Sequence, residues 1–512
     1  MSNEMLNEYT NNEIFKKFTS PESFAKMVDY ENVTQMWTHS AKEYADIVAI
    51  IDGEFSYTYA QLDGEVSKFR TVLGDNGVTP GSLVGILCPN SAGFAKAFLS
   101  AATMAAPSVL LPVHLDAMTV FGCAMKFGMK AIVYDKSLEE KLALVKEKLP
   151  TVALIPSDAT SEVNTDPLSP PGSTLCTVLF TGGTTGKSKG AKLSQRAVMA
   201  GAKNGCFGVY DIFNQKYLLV LPLTHVFGLI RNLLTSLFTG STLCICKNNK
   251  DMFRDCAIYK PTIMVMVPAI AEMALKLSRQ FGRNMLGSDI KTIICGAAFV
   301  PPYLITEYNK MGITLLPGYG LTESANLVSG NPDALRKPDS VGYMYGGMKY
   351  KIVDGELWLK GVNMTDGYVN DEDNAIAFED GYFKTGDLVR IDEEGFLYIT
   401  GRIKEVIVLP SGENVSPAEI EAKFYAVDAI QDCLVYDDLT TGSLVIEILP
   451  RPDAVATLGI TDIEGYMKDA VAKVNETLPP FERITKIIVR DTDFVRTPAM
   501  KIARNLNGNV KK

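Results

Sequence analysis

The residues with the clearest chemical potential lie in one segment rich in glycine, threonine and lysine, residues 174–194 (TLCTVLFTGGTTGKSKGAKLS). An apolar run enters it directly, so the sequence predicts a buried strand that ends in a loop. Glycines let the backbone approach an anion closely, threonine hydroxyls donate hydrogen bonds, and lysines supply positive charge. We therefore predict a phosphate-binding loop. Its predicted contact residues are Thr181, Gly182, Gly183, Thr184, Thr185, Gly186, Lys187, Lys189 and Gly190.

A Walker A loop, GxxxxGK[ST], is the main alternative, because Gly186, Lys187 and Ser188 match its last three positions. The spacing does not fit this motif. Only three residues separate Gly182 from Gly186, and Thr181 stands where the first glycine should be. A flexible surface loop is the other alternative. It is the weaker hypothesis, because a buried strand leads directly into so many anion donors.

Further segments with polar residues beside apolar runs follow this loop. They are LPLTHVFGL (221–229), CGAAF (295–299), GYGLTES (318–324), GELWLKGVNMTDGY (355–368), YFKTGDL (382–388), GRIKEVIVLPSGENVSPAEIE (401–421) and RTPAMKIAR (496–504). In this order and at these separations they resemble the adenylate-forming (AMP-binding) superfamily of acyl-CoA synthetases, luciferases and nonribosomal peptide adenylation domains. Fatty acid–CoA ligases are the branch that the chain resembles most. The resemblance covers nearly the whole chain.

The resemblance implies an enzyme that uses ATP and Mg²⁺ to form an acyl-adenylate and then transfers the acyl group to coenzyme A. Thr184 and Glu323 would act in catalysis and hold Mg²⁺, and Thr322 would donate to the α-phosphate. Asp387 would accept both ribose hydroxyls, and Arg402 would donate to the same sugar. The adenine slot and the neighbouring nucleotide contacts would be formed by Gly296, Ala297, Ala298, Gly318, Tyr319 and Gly320, with Tyr319 stacked on the base.

Lys501, in the segment RTPAMKIAR, matches the terminal lysine of this family. Negative charge gathers between two anions as the carboxylate attacks the α-phosphate, and an ammonium there stabilises the transition state more than the ground state. Without the resemblance, an exposed surface lysine would be the ordinary interpretation. The resemblance therefore implies that Lys501 catalyses the first half-reaction.

Near residue 400 a stretch rich in glycine and aspartate gives way to a compact α+β pattern, which predicts a domain boundary with a hinge at Lys404. We expect an AMP-binding domain over residues 1–403 and a mobile C-terminal domain over 404–512 that carries Lys501. The family resemblance implies that this domain rotates after adenylation. Rotation would withdraw Lys501 and bring Ser411, Gly412 and Glu413 toward the thiol.

His225 lies between two apolar runs, where a histidine is commonly a structural core residue. The resemblance implies instead that it gates the acyl pocket, with no metal or triad role. The expected pocket walls, near 225–229, 295–299 and 318–326, are small or apolar and carry no charged specificity residue. No acid stands near 224–227 to pair with an amino group. These walls favour an aliphatic or aromatic acid over an amino acid, and the resemblance to fatty acid–CoA ligases implies a medium- or long-chain fatty acid as the substrate.

Other functions share part of this pattern. Transfer of the acyl group to a carrier protein's phosphopantetheine arm would use the same chemistry, and we expect free coenzyme A because the chain shows no fused carrier domain and no long insertion. A nucleotide-binding module without catalysis would not need Thr184, Glu323, Asp387, Arg402 and Lys501 together. A luciferase-like oxygenase also shares the motifs, but its overall match is weaker.

Composition sets the remaining limits. The chain has 512 residues and 47% hydrophobic content, enough for several cores. Its net charge of -9 argues against broad binding to nucleic acid or anionic lipid. The nine cysteines contain no CxxC pair, so we expect neither zinc nor disulfides, as in the reducing cytoplasm. No signal peptide is recognisable, and the longest apolar stretch, 97–113, is too short and too interrupted to cross a membrane.

These residues need elements to position them. Between about residues 48 and 353, short β-branched runs alternate with amphipathic segments, which predicts βαβ units and mainly parallel sheets. Ser194 is placed to cap the helix that follows the glycine-rich loop. The predicted fold is α/β: a large N-terminal domain of two βαβ-type sheet subdomains and a small β-barrel-like subdomain, followed by a small α+β C-terminal domain.

Overall fold

A largely parallel sheet carries the first strand of the glycine-rich segment. The computed structural model describes residues 5–7, 12–181, 189–409, 413–438, 441, 443–496 and 502–504. Within this part of the chain the sheet has six strands, with only the last pair antiparallel. In spatial order they are Ala153–Pro156, Ala131–Tyr134, Val84–Leu87, Ser108–Leu110, Leu175–Thr181 and Lys189–Ser194.

A second sheet carries the segments around Cys295 and Tyr319. Nine strands of the described chain form it, parallel in the middle and antiparallel at both ends. Their order is Tyr343–Met344, Ser329–Gly330, Thr314–Tyr319, Thr292–Cys295, Ile263–Met266, Lys216–Leu219, Thr242–Ile245, Val48–Asp52 and Phe55–Thr58. The central strands are short, apolar and buried on both faces, as parallel strands covered by helices are.

A third sheet, which is antiparallel, positions Asp387 and Arg402. Its described strands are Met5–Asn7, Met348–Val353, Glu356–Gly361, Phe378–Glu379, Tyr382–Ile391 and Leu397–Arg402. Asp387 and Arg402 are direct partners on the two neighbouring strands. A one-residue shift in register between Leu388 and Val389 interrupts the pairing next to them.

Helices cover both parallel sheets, and their ends follow local sequence signals. Ser194 caps Gln195–Asn204 by accepting a hydrogen bond from the Ala197 N–H at 3.3 Å, as predicted. The remaining α-helices before residue 404 are Pro21–Ala25, Val33–Glu43, Tyr59–Asp75, Ala92–Thr103, Ala117–Phe127, Ala143–Lys148, Val226–Gly228, Thr235–Phe238, Met252–Tyr259, Pro268–Phe281, Pro302–Lys310 and Asp371–Ala377. Single turns of 3₁₀-helix include Thr322–Ser324 and Ile403–Glu405, and Leu229–Leu234 is a π-helix.

The C-terminal part of the chain has its own core. Strands Ile430–Asp437, Leu444–Pro450 and Ile484–Val489 form its sheet, flanked by helices Pro417–Phe424, Pro452–Thr457 and Ile463–Glu476 and by the hairpin of Ile407–Val408 with Asn414–Val415. The largest hydrophobic core has its last buried residue at Tyr398. The two hydrophobic clusters of the C-terminal part contain only residues from Ile407 onward. This separation supports the proposed boundary at 404. The predicted class, α/β followed by a small α+β domain, is confirmed.

Two expectations about the cysteines and about membrane helices can be compared with the fold. All nine cysteines are free thiols, and eight of them, including Cys244 and Cys246, are buried. In the described ranges no helix is both long and apolar enough to span a bilayer. The apolar stretch 97–113 instead continues helix Ala92–Thr103 into the buried strand Ser108–Leu110, as expected.

Candidate active site

The predicted adenine-binding residues meet at the carboxyl ends of two adjacent parallel strands. Cys295 lies beside Pro317, so the segments that follow, Gly296–Ala298 and Gly318–Gly320, leave the sheet at the same edge. A side chain at position 296 would place its Cβ 2.8 Å from the Gly318 carbonyl oxygen, which explains the glycine. Ala297 adopts a left-handed φ of 66°, a conformation that is unusual outside glycine and often found at functional sites.

Asp387 is held between Tyr319 and Arg402. The Tyr319 hydroxyl donates to Oδ2 of Asp387 at 2.5 Å, and Nε of Arg402 lies 2.7 Å from Oδ1. The carboxylate is only 1% exposed. Burial, and secondarily the Asp387 charge, raises the pKa of Tyr319 well above its ordinary value, so the phenol keeps its proton.

Glu323 occupies the buried 3₁₀ turn Thr322–Ser324 and accepts a hydrogen bond from the Tyr368 hydroxyl. Burial raises the pKa of Glu323, and the hydrogen bond from Tyr368 opposes that effect. Lys189 lies 4.9 Å from the centre of the Tyr368 ring and 2.9 Å from Oδ1 of Asp373. Tyr368 and Asp373 received no role from the sequence, although Tyr368 ends one of the recognised motifs. Thr322 is half-buried in the same turn, which places it next to Glu323 as predicted.

The predicted phosphate loop connects two antiparallel strands, because Thr181 pairs with Lys189 across its ends. A Walker A loop runs instead from a strand into a helix, so this topology agrees with its rejection from spacing. Gly182, Gly183, Thr184, Thr185 and Gly186 lie outside the described residues, as do Ser411, Gly412 and Lys501. Glu413 is described: its carbonyl accepts from the Leu409 N–H at 2.9 Å.

His225 begins the short helix Val226–Gly228, and its Nδ1 accepts from the Phe227 N–H at 3.2 Å. Since Nδ1 accepts, the proton of the neutral ring is assigned to Nε2. Phe227 reaches the segment predicted to bind adenine, with its Cζ 3.6 Å from where a Gly296 Cβ would stand. No group of three or more His, Cys, Asp or Glu side chains suited to a metal occurs in the described part of the chain. The gating role of His225 stays a prediction.

The C-terminal domain covers one side of the cleft. Phe299 packs on Tyr425 with ring centres 5.0 Å apart, and the Arg451 guanidinium lies 3.6 Å from the Tyr303 ring centre. Arg279 and Asp453 form an ion pair at 3.2 Å. The lining of the cleft includes residues from both domains: Ala297, Ala298, Gly318, Tyr319, Gly320, Asp387, Arg402, Glu272, Arg496, Ile502 and Arg504.

Glu272 lies near this contact between the domains and has a pKa raised by burial and, to a smaller extent, by the charge of Asp432 in the C-terminal domain. It accepts a hydrogen bond from the Tyr303 hydroxyl, and burial raises its pKa to about 7 against the effect of that bond. Because the pKa of Glu272 is higher in the folded than in the unfolded protein, the folded protein binds more protons than the unfolded protein between these two pKa values. The free energy of unfolding therefore decreases as the pH rises from the ordinary pKa of a glutamate toward 7. We expect Glu272→Gln to remove this component of the pH dependence. Melting temperatures at pH 5 and pH 8 measure it.

Glu476→Gln is the matched control for Glu272→Gln, because Glu476 is exposed on the far end of helix Ile463–Glu476. It should leave the pH dependence as in the unmodified chain. A Glu272→Gln protein whose melting temperature still falls between the two pH values as much as the control would contradict the assignment.

Comparison with known proteins shows which protein family the chain matches. Residues 37–369 match the model described as AMP-binding enzyme, and residues 404–508 match the AMP-binding enzyme C-terminal domain. An indoleacetate–CoA ligase from Aromatoleum aromaticum is 31% identical over 72% of this chain and 78% of its own. A probable CoA ligase from Humulus lupulus is 28% identical over 93% and 95% of the two chains. The crystal structure of the anthranilate CoA ligase AuaEII in complex with anthranoyl-AMP superimposes with a TM-score of 0.82, at 19% identity, over 93% of this chain and 96% of that one.

Proposed function

Because the chain belongs to the family of AMP-binding enzymes, we propose that it is an ATP-dependent acid–thiol ligase that makes an acyl-adenylate and passes the acyl group to coenzyme A. One observation carries the proposal: Ala297, Ala298, Tyr319 and the Asp387–Arg402 pair line one cleft together with Ile502, from the segment that follows Lys501. A nucleotide-binding module alone would not require the last of these.

The first half-reaction needs ATP held with its α-phosphorus open to a carboxylate oxygen. Asp387 and Arg402 are placed to bind the ribose, and the hydrogen bond from Tyr319 fixes the orientation of the carboxylate. Ala297 and Ala298 would line the adenine. The attacking oxygen forms a bond to the α-phosphorus while the bond to pyrophosphate breaks, and we assign the Lys501 ammonium to the charge that develops there.

Glu323 fits a magnesium site built mainly from substrate oxygens. Mg²⁺ in such sites is commonly held by one or two carboxylates together with phosphates and waters, so a single buried carboxylate suffices. Bound magnesium would neutralise the charge of the leaving pyrophosphate. Thr184 is the proposed second protein ligand. The Tyr368 hydrogen bond favours the ionised form of Glu323, the form that can hold a cation.

For the second half-reaction we propose that the C-terminal domain turns about Lys404, which lies in the turn Ile403–Glu405. Glu413, with Ser411 and Gly412, would then approach the thiol. The thiol sulfur would bond to the carbonyl carbon as the bond to AMP breaks. The ion pair of Arg504 with Glu405, at 3.3 Å, links the segment after Lys501 to the proposed hinge in the arrangement described here.

The identity of the acid is the finer part of the proposal. Val226, Phe227, Gly228 and Leu229 are apolar and buried, which supports an acyl pocket for an aliphatic chain, such as that of a medium- or long-chain fatty acid. Indoleacetate–CoA ligase is named for an aromatic acid, so this similarity does not favour a fatty acid. Coenzyme A is the proposed acceptor, and a carrier protein is the alternative.

Pyrophosphate release tests the proposal. The purified chain with ATP and magnesium should release pyrophosphate only when a suitable acid is added, and added coenzyme A should convert the acyl-adenylate into AMP and acyl-CoA. Absence of release with every acid would leave a nucleotide-binding module as the function. An acyl-adenylate that persists after coenzyme A is added would favour a carrier protein as acceptor.

A further inference from the structure

Arg231 is a buried cation for which the described residues provide no anionic partner. It lies in the π-helix Leu229–Leu234 and is 2% exposed. Its Nη1 has no hydrogen-bond partner among the described protein atoms, and none of their carboxylates lies within ion-pair distance. Arginines are almost never this deeply buried without a partner, because the desolvation of the charge is then uncompensated. This arrangement suggests a site for an anion.

The side chains around Arg231 cannot neutralise it. Its charge acts on Tyr217, Cys206 and Tyr345, but burial is the larger effect and raises the pKa of each to about 12. All three therefore keep their protons near neutral pH. The buried Tyr217 hydroxyl has no hydrogen-bond partner within 3.5 Å in the described ranges, and Arg231 lies close enough to oppose the rise of its pKa both as a charge and as a hydrogen-bond donor. A guanidinium and a phenol donor together suit a carboxylate.

This site lies just behind the cleft. The π-helix directly continues the segment of His225 and Phe227, and Asn232 donates to the Phe227 carbonyl at 3.3 Å. On the other side, Gly318 pairs with Gly330, and a Cβ on Gly330 would lie 2.1 Å from the Tyr345 hydroxyl. Arg231 is thus enclosed between the proposed acyl-pocket helix and the strand pair behind Tyr319. Arg231 follows His225 by six residues along these consecutive helices.

We propose that Arg231 forms the far end of the acyl pocket and binds a second carboxylate, so that the substrate is a dicarboxylic acid with an aliphatic chain between its two acid groups. This inference rests on the proposed ligase function. It narrows the expected fatty acid to one whose distal end is charged. The first pocket wall predicted from the sequence, 225–229, ends two residues before Arg231.

A matched series of acids tests the proposal. Pyrophosphate release is measured with α,ω-dicarboxylic acids and with the monocarboxylic acids of the same carbon number. We expect kcat/KM to favour the best dicarboxylic acid over its monocarboxylic counterpart by roughly 10- to 100-fold, the range for one hydrogen-bonded charge. Arg231→Met, which keeps a long unbranched side chain, should abolish this preference mainly through KM, and Arg231→Lys should retain part of it.

Arg70→Met is the control for the loss of a buried arginine. Arg70 is also buried, but its Nε donates to the Thr165 carbonyl at 2.7 Å and its Nη1 to the Thr103 hydroxyl at 3.2 Å. This variant should lower the melting temperature and keep the acid preference. Arg231→Met should not lower the melting temperature, because it removes an uncompensated charge. A dicarboxylic acid should raise the melting temperature of the unmodified chain and not that of Arg231→Met.

The outcomes separate the two proposals. Equal use of mono- and dicarboxylic acids by the unmodified chain, or a preference that Arg231→Met leaves unchanged, would overturn the role of Arg231 and leave the ligase function standing. Failure of every acid to release pyrophosphate would overturn the ligase function, and the inference with it. If Arg231→Met does not fold, the preference of the unmodified chain and of Arg231→Lys decides the question.

Discussion

Replacing Lys501 by alanine is expected to slow acyl-adenylate formation by roughly 10²- to 10³-fold, the scale of losing one contact to a developing charge. Thioester formation from a supplied acyl-adenylate should remain largely intact, because that step does not pass through the charged phosphorus centre. The sequence neighbour Ile502 lines the same cleft as Tyr319 and Asp387 and pairs with Arg496. Pyrophosphate release measures the first half-reaction, and acyl-CoA formation from synthetic acyl-adenylate measures the second.

Lys473→Ala provides the control for Lys501→Ala. Lys473 is exposed on helix Ile463–Glu476 of the same domain, so this change removes one positive charge away from the cleft. It should leave both half-reactions near their original rates. Equal losses of the two half-reactions in Lys501→Ala would contradict a role confined to adenylation.

Glu323→Gln should lower the rate of acyl-adenylate formation on the order of 10²-fold. Glutamine keeps the size and an acceptor for the Tyr368 hydroxyl, so the buried turn should survive, but the charge that would hold a cation is lost. The rate of pyrophosphate release at increasing magnesium concentration is the measurement. We expect half-saturation to move to higher magnesium as well as a lower limiting rate.

Tyr368→Phe separates the charge of Glu323 from the hydrogen bond that it accepts. Burial raises the pKa of this carboxyl, and Tyr368 lowers it, so the phenylalanine variant should raise the pKa further. The ionised form would then be lost at a higher pH, and the acidic limb of the pH–rate profile should move to higher pH with a small loss of rate at the plateau.

A normal magnesium dependence in Glu323→Gln would show that this carboxylate does not hold the cation.

Local sequence signals were sufficient for much of the fold. The alternation of apolar runs predicted the parallel sheets, and Ser194 predicted the start of its helix, because both depend on neighbours a few residues apart. Of the site motifs, those that carry Ala297, Tyr319, Asp387, Arg402 and Ile502 contribute residues to the cleft. The hydrogen bonds between these segments could not be predicted from the sequence, because their partners lie far apart in the chain. Tyr319 and Asp387 are 68 residues apart, and Tyr368 and Glu323 are 45 residues apart. No local periodicity encodes such pairs.

Arg231 illustrates a second limit of the sequence. An arginine after an apolar segment ordinarily ends a helix at the surface, and only the packing of the π-helix against helix Gln195–Asn204 places it inside. The side chain of Arg231 lies close to Gly205, where a Cβ would stand 3.1 Å from its Cδ. The consequence, a buried cation, follows from tertiary structure and not from the pattern of residues.

Phe299 connects the predicted adenine-binding segment with the contact surface of the C-terminal domain. It follows Ala297 and Ala298 at the adenine edge, and its ring packs on Tyr425 of the C-terminal domain. A ligand that changes the position of this short segment must alter the free energy of domain contact, and thermodynamic linkage makes the effect reciprocal. Nucleotide affinity and the population of the arrangement in which Phe299 contacts Tyr425 are therefore expected to rise or fall together. The coupling would pass through the backbone of residues 297–299.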